Sequence, residues 1–210
     1  MRFSVVLFDL DGTLVDSADA ILASFHHATE SVLGCRFPAE IILAHVGGGN
    51  LEQQLARLAP PERIDELVRV YRSHNNALYA SLSCFGGVIG ALEQLQREGR
   101  QLGVVSAKPR ATVELALHGA ALDRYFDVVV GSDETEKFKP DPEPLLLGLS
   151  RLGAAVEDAA YVGDSPFDMK AARAAGLYAV GVTWGRIHGR EALADADVIV
   201  GAAEELPAAL

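Results

Sequence analysis

Basic residues are scarce in this chain: 18 Lys and Arg stand against 29 Asp and Glu, a net charge of -11. A surface so weighted repels phosphate backbones and anionic headgroups, which argues against nucleic acid or membrane as a non-specific partner. An anionic substrate gets no help from that field, so its attraction must come from local lysines or a metal. Cysteine is nearly absent. Cys35 and Cys84 have no metal-ligand spacing, which excludes a disulfide scaffold and reads as a reduced, cytoplasmic protein. No apolar run is long enough to span a bilayer. The chain leads straight into a strand pattern, with no signal-peptide features. His26, His27, His45, His118 and His188 show no ligand spacing, and there is no repeat or low-complexity segment. What is present is apolar bulk: 50% of the 210 residues are hydrophobic, enough for one large or two small domains.

Periodicity places the elements. Residues 3–8 read as a buried parallel strand. From Asp16 the pattern turns helical, with Ile21, Leu22, Phe25, Ala28, Thr29 and Val32 at three- and four-residue steps. Short helices are expected from Pro38 to about Leu58, broken at Gly47-Gly48-Gly49, then one amphipathic helix from Pro61 to Leu82. After Phe85-Gly86-Gly87, helix and strand alternate: helices at 88–98, 111–118, 142–152 and 165–175, and strands at 101–105, 126–130, 159–162, 178–182 and 198–200. The alternation predicts an α/β fold, a doubly wound parallel sheet of Rossmann-like type with an inserted all-helical unit. The core is expected at 1–15 and 86–210 and the helical cap at 16–85. Sites in such folds lie at the carboxyl ends of strands.

The first strand runs into Asp9-Leu10-Asp11-Gly12-Thr13-Leu14-Val15-Asp16-Ser17. Strand alternation lets Asp9 and Asp11 face one way while Leu10 enters the core. Like charges that close repel. A divalent cation removes that cost, so the pair reads as a magnesium site holding a nucleophile and an acid/base. Three further segments follow strands. Ser106-Ala107-Lys108-Pro109 offers a hydroxyl and backbone N–H groups to a phosphate, or is a simple turn. In Lys139-Pro140-Asp141-Pro142, Lys139 precedes a helix start capped by Asp141; it is a charge-offsetting lysine or a surface one, and Lys137 is the weaker candidate. In Gly163-Asp164-Ser165-Pro166-Phe167-Asp168, Asp164 has no local structural explanation, whereas Asp168 also completes a capping box with Ser165.

These segments, in this order, resemble the four motifs of the haloacid dehalogenase superfamily, in its phosphatase branch, with a helical C1-type cap inserted after the first. Relatives often carry Asn where this chain has Ala107. The resemblance implies a catalytic set of Asp9, Asp11, Ser106 and Lys139. It implies a phosphate cradle formed by Leu10, Ser106, Ala107, Lys108 and Lys139. It implies Mg2+ held by Asp9, Asp164 and the backbone carbonyl of Asp11, with Asp168 ligating through water or orienting Lys139. The implied mechanism is in-line attack by Asp9, giving an aspartyl-phosphate, with Asp11 as acid and then base. A dehalogenase has no use for Asp11, and Thr13 favours hydrolysis over mutase activity.

The substrate is expected to be a small phosphorylated molecule. The 71–75 string, the 139–144 string and the 102–108 string resemble the superfamily's bacterial pyrophosphatase. The overall layout resembles phosphoglycolate phosphatase, so pyrophosphate stands slightly ahead of 2-phosphoglycolate. Lys108 and Arg110 are candidates for a second anionic group. Tyr71 reads as core packing, Arg72 and His74 as solvated, and Gly47-Gly48-Gly49-Asn50 as a substrate-approaching loop or a plain turn. Trp184 and Arg186 are possible rim residues. A phospho-accepting signalling receiver is the reading from another class. The chain is expected to be a monomer or homodimer.

Overall fold

Val5-Val6-Leu7-Phe8 forms β1 (Val5–Phe8), and all four side chains are buried. A strand apolar on both faces suits the middle of a parallel sheet covered on both sides. In the computed structural model, which describes residues 2–210, that is where it lies. After β1 come α1 (Ala18–Leu33), α2 (Ala39–Leu43), α3 (Leu51–Leu55) and α4 (Ile64–Tyr79). Then follow α5 (Val88–Arg97), β2 (Gln101–Val105), α6 (Arg110–Gly119), β3 (Val128–Val130) and α7 (Glu143–Leu152). The chain ends with β4 (Ala159–Gly163), α8 (Pro166–Ala175), β5 (Tyr178–Val182), β6 (Val198–Val200) and α9 (Leu206–Ala209).

All five strand pairings are parallel, in the order β3-β2-β1-β4-β5-β6. The order reverses direction between β1 and β4, and a crevice opens there at the carboxyl ends. Strand alternation divides the core into two layers. Val6 and Phe8 of β1 pack with α5 and α6 on one face, and Val5 and Leu7 pack with α7 and α8 on the other.

Some boundaries differ from the sequence reading, and the first strand, expected over 3–8, runs only Val5–Phe8. The helix expected from Pro61 to Leu82 is a 3-10 turn (Pro61–Arg63) followed by α4. Consecutive prolines at 60 and 61 supply no N–H for a regular first turn. The strand expected at 126–130 pairs only from Val128. Before it, the Asp127 carboxylate accepts from the Leu102 N–H at 3.0 Å, replacing a ladder bond with a side-chain one.

Helices α1 and α4 pack along their length, with Phe25 edge-on to Tyr71 at 4.8 Å between ring centres. The ends of this helical segment are tied to each other. Asp16 N–H donates to Ser83 O and Phe85 N–H to Leu14 O, both at 3.1 Å, around an antiparallel bridge between Val15 and Cys84. No helix among the described residues is long and apolar enough to cross a membrane.

Candidate active site

Asp9 is the first residue beyond β1. Its N–H donates to Val162 O of β4 at 2.8 Å, so the backbone is fixed by the sheet and the carboxylate projects from the crevice. The chain then turns tightly. Gly12 takes φ +79, a conformation glycine adopts without steric cost, and a Cβ there would lie 2.1 Å from Asp164 Oδ2. Leu10 is fully buried in the core, so only its backbone is available to a phosphate. Asp11 comes back toward the crevice, where its Oδ1 accepts from the Tyr79 hydroxyl of α4.

Lys139 reaches Asp9 from across the sheet. Its Nζ lies 2.7 Å from Asp9 Oδ1, 2.7 Å from Asp168 Oδ1 and 3.0 Å from the Tyr161 hydroxyl. The ammonium is 2% exposed, so each of its three protons needs a partner, and each has one. Burial opposes its charge, but Asp168 and Asp9 outweigh that and hold its pKa well above the ordinary lysine value. Asp168 is fixed in turn. Its Oδ2 accepts from the Ser165 hydroxyl at 2.6 Å and the Ser165 N–H at 3.0 Å, while Ser165 Oγ accepts from Asp168 N–H. Asp168 therefore caps α8 and orients Lys139 at once. The expected cap shifts by one: α7 starts at Glu143 with Pro142 as its cap residue, and Asp141, now one residue outside, still accepts from the Glu143 N–H at 3.0 Å. Lys137 is 67% exposed and pairs with Asp141, away from the carboxylates.

The electrostatics are unbalanced. Asp9, Asp164 and Asp168 each present an oxygen within 4.8 Å of the others, and among the described residues Lys139 is the one ammonium in contact with two of them. Asp164 Oδ2 is buried without a hydrogen-bond partner. Burial, then Asp168 and Asp9, push the Asp164 carboxyl well above the usual carboxylate range. Asp9 is raised to about 7, by burial first, with Lys139 opposing and Asp168 and Asp11 adding to the shift. An orphaned carboxylate oxygen beside crowded carboxylates is a donor set made for a hard, oxygen-seeking cation, and magnesium fits it.

Asp9 and Asp11 open onto a cavity of about 40 Å3 that Ser106, Ala107, Lys108, Tyr71, Asn75 and Thr112 also line. Ser106 N–H donates to Val130 O at 3.0 Å, and its Oγ accepts from Lys108 N–H at 3.2 Å. Lys108 Nζ donates to the Tyr71 hydroxyl at 2.9 Å and sits 4.9 Å above the Tyr79 ring. Burial opposes its charge too, but Tyr71 and Asp11 keep its pKa above the ordinary value.

Some sequence candidates lie elsewhere. Arg110, a candidate for a second anion, bonds Glu114 at 2.8 Å and the Val129 carbonyl at 3.1 Å outside the cavity. Trp184 donates to Thr13 O at 3.0 Å, and Arg186 pairs with Asp16 and Asp19; both brace the first loop. In the glycine loop, Gly49 N–H donates to Lys139 O at 3.0 Å, and a Cβ at Gly48 would meet the Phe167 ring at 2.5 Å. That loop packs against two of the motifs, and its Gly47 nevertheless lines the cavity shared by Asp9 and Asp11. The sequence reading missed Tyr79 and Tyr161 and took Tyr71 only as core. Tyr71, Asn75 and Tyr79 share one face of α4 by their four-residue spacing, which sequence shows, but that the face borders the site it does not. Tyr161 is a polar tip inside an apolar strand, and a buried Tyr needs a partner.

Comparison with known proteins agrees with this geometry. The sequence pattern of the haloacid dehalogenase-like hydrolases matches residues 6–182. Pyrophosphatase PpaX of Bacillus velezensis is 37% identical over 87% of this chain and 84% of its own length. Pyrophosphatase PpaX of Bacillus pumilus is 36% identical over 90% and 87%. A haloacid dehalogenase-like family hydrolase from Streptococcus pneumoniae superimposes with a TM-score of 0.87 at 29% identity, covering 99% of this chain and 98% of that one. A predicted phosphoglycolate phosphatase from Haemophilus somnus gives a TM-score of 0.87 over 100% and 98% of the chains, at 24% identity, and shares the fold. The chain belongs to the haloacid dehalogenase-like hydrolase family.

Proposed function

We propose that this hydrolase is a magnesium-dependent phosphatase of a small phosphorylated molecule, with pyrophosphate ahead of 2-phosphoglycolate and residues 16–85 acting as the cap over the site. One observation carries the reading: Lys139 is locked between Asp9 and Asp168 beside the unpartnered Asp164 oxygen.

Asp9 is the nucleophile. One of its oxygens is bonded to Lys139, which leaves the other to attack phosphorus and form an aspartyl-phosphate. Asp11 gives a proton to the leaving oxygen, then takes one from the water that cleaves the acyl-phosphate. Tyr79 holds Asp11 for both steps. Ser106 Oγ, the backbone N–H groups after Asp9 and the Lys139 ammonium offset charge on the transferring phosphoryl oxygens. Asp9, Asp164 and the Asp11 carbonyl would hold magnesium, which supplies positive charge against phosphate and lets the carboxylates stay ionised. Pyrophosphate is favoured because the relatives at 36–37% identity carry that name, whereas the phosphoglycolate phosphatase likeness is one of fold.

The test is phosphate release from pyrophosphate and 2-phosphoglycolate, with and without magnesium, for wild type, Asp9→Asn and Asp11→Asn. Magnesium-dependent turnover by wild type, and a loss of at least about 100-fold in each variant with unchanged circular dichroism, is expected. A persistent phospho-form without turnover points to the receiver reading. Substantial activity in Asp9→Asn rules out the covalent route.

A further inference from the structure

The core layer under α7 and α8 is apolar, with Val5, Leu7, Val105, Val130 and Leu145 meeting there. Tyr161 of β4 belongs to the same layer, opposite Leu7 in the strand register and fully buried. Its ring suits those neighbours. Its hydroxyl does not, because a buried hydroxyl without a partner is costly. Here it has three partners. It accepts from Lys139 Nζ at 3.0 Å, and its one proton has two acceptors at 3.1 Å, the Val105 carbonyl and Asp168 Oδ1. Val105 is the last residue of β2, and Ser106 follows it. A single phenol therefore touches the lysine, the carboxylate that caps α8, and the strand end from which Ser106 leaves.

We propose that Tyr161 is a positioning residue: its hydroxyl fixes the third N–H of Lys139 and holds the ammonium in register with the strand end that carries Ser106. This rests on the phosphatase reading and names what sets the lysine's place in it. An ammonium has three donors. Bonds to Asp9 and Asp168 alone leave it free to swing about the line joining those two carboxylates, and the bond to Tyr161 removes that freedom. The chemistry of this third partner matters. Asp9, Asp164 and Asp168 already crowd one another, so another carboxylate on the lysine would add negative charge where a phosphate must bind. A phenol adds the hydrogen bond without the charge. Tyr161 lies outside the cavity that Asp9 and Asp11 line, so it does not meet the reacting atoms and its effect passes through Lys139.

The experiment measures kcat and KM for pyrophosphate and 2-phosphoglycolate, with magnesium, in wild type, Tyr161→Phe and Leu145→Val. Thermal unfolding accompanies each, and every assay is run where the chain is folded. Tyr161→Phe keeps the ring and loses the hydroxyl. Its kcat should fall about 10- to 100-fold, the effect of a charged group held about 1 Å out of place. KM should change less than about threefold, because the placement matters most where charge develops. The factor should be the same for any substrate that turns over, since the lysine faces Asp9 and the transferring group and not the leaving group. Leu145→Val removes packing from the same layer and touches no polar group. It should lower the melting temperature while kcat stays within about twofold. A folded Tyr161→Phe with kcat within about twofold of wild type overturns the positioning role. So does a Leu145→Val variant that loses kcat in step with its melting temperature, as Tyr161→Phe does. A Tyr161→Phe chain that no longer folds makes the hydroxyl a requirement of the fold and overturns the role as well. Absence of phosphate release from both compounds by wild type overturns the phosphatase reading, and the role of Tyr161 falls with it.

Discussion

Asp164→Asn should make the metal-free protein more stable and leave it unable to respond to magnesium. The carboxylate is 3% exposed, its Oδ2 has no hydrogen-bond partner, and Asp168 and Asp9 crowd it. Asparagine keeps the shape and removes the charge. A buried polar group without a partner costs about 1–3 kcal/mol, more when ionised. At about 2–4 °C per kcal/mol for a chain of this size, the melting temperature should rise by roughly 2–12 °C in chelator at neutral pH. The sign has a pH signature. Because the folded-state pKa of Asp164 is raised, the group favours the fold fully below its ordinary value of 3.8. That contribution is lost as pH climbs toward the folded pKa. The advantage of the variant should therefore be small near pH 4 and grow upward. Magnesium reverses the ranking. At 100 times its dissociation constant it adds about 2.7 kcal/mol to wild type and little to the variant. Differential scanning calorimetry with chelator and with magnesium reads both effects. A metal-free variant that melts below wild type at pH 7 would refute the reasoning, because the carboxylate would then be supporting the fold.

Lys139→Met should destabilise the protein by about 3–5 kcal/mol, since it strands two buried carboxylates. Adding Asp168→Asn should recover more than about 0.5 kcal/mol of that in a double-mutant cycle by urea unfolding. Because Asp9 is raised to about 7, a proton competes with magnesium. Calorimetric titration should show affinity falling by up to about tenfold per pH unit below 7 and levelling off above it. Metal-free stability should drop between pH 4 and 7 as Asp9 loses the proton that its burial favours. Gly12→Ala combines a φ of +79 with a Cβ placed 2.1 Å from Asp164 Oδ2. It should cost about 1 kcal/mol or more in unfolding experiments and weaken magnesium binding further.

Much of the core was readable from local pattern. β5 and β6 run where alternation places them, and the Ser165–Asp168 capping box forms as its spacing requires. The apolar runs of β1 and β4 flank the crevice that holds Asp9 and Asp164. Such features depend on neighbours a few residues away. What pattern could not supply was reach between distant segments. Tyr79 meets Asp11 across 68 residues of chain and Lys108 meets Tyr71 across 37, and no local rule distinguishes a stripe tyrosine that ends in a core from one that ends in a site. Arg110 failed for a related reason: nearness in sequence to Ser106 said nothing of Glu114 and Glu134, which draw it outward. Asp168 was open between two roles, and the structure lets both stand because its two oxygens serve different partners.

The paired crossings at Val15 and Cys84 have an evolutionary consequence. Residues joined in an antiparallel bridge stand about 5 Å apart, so some seventy intervening residues leave and re-enter the sheet through one narrow gate. Replacing that stretch with another whose ends meet at the same spacing demands no change in the strand order or in the segments that carry Asp9, Lys139 and Asp164. The sheet-borne carboxylates then stand apart from that stretch except where Tyr79 reaches back to Asp11. One part is tied to the sheet's geometry, and the other is joined to it at two points that touch each other.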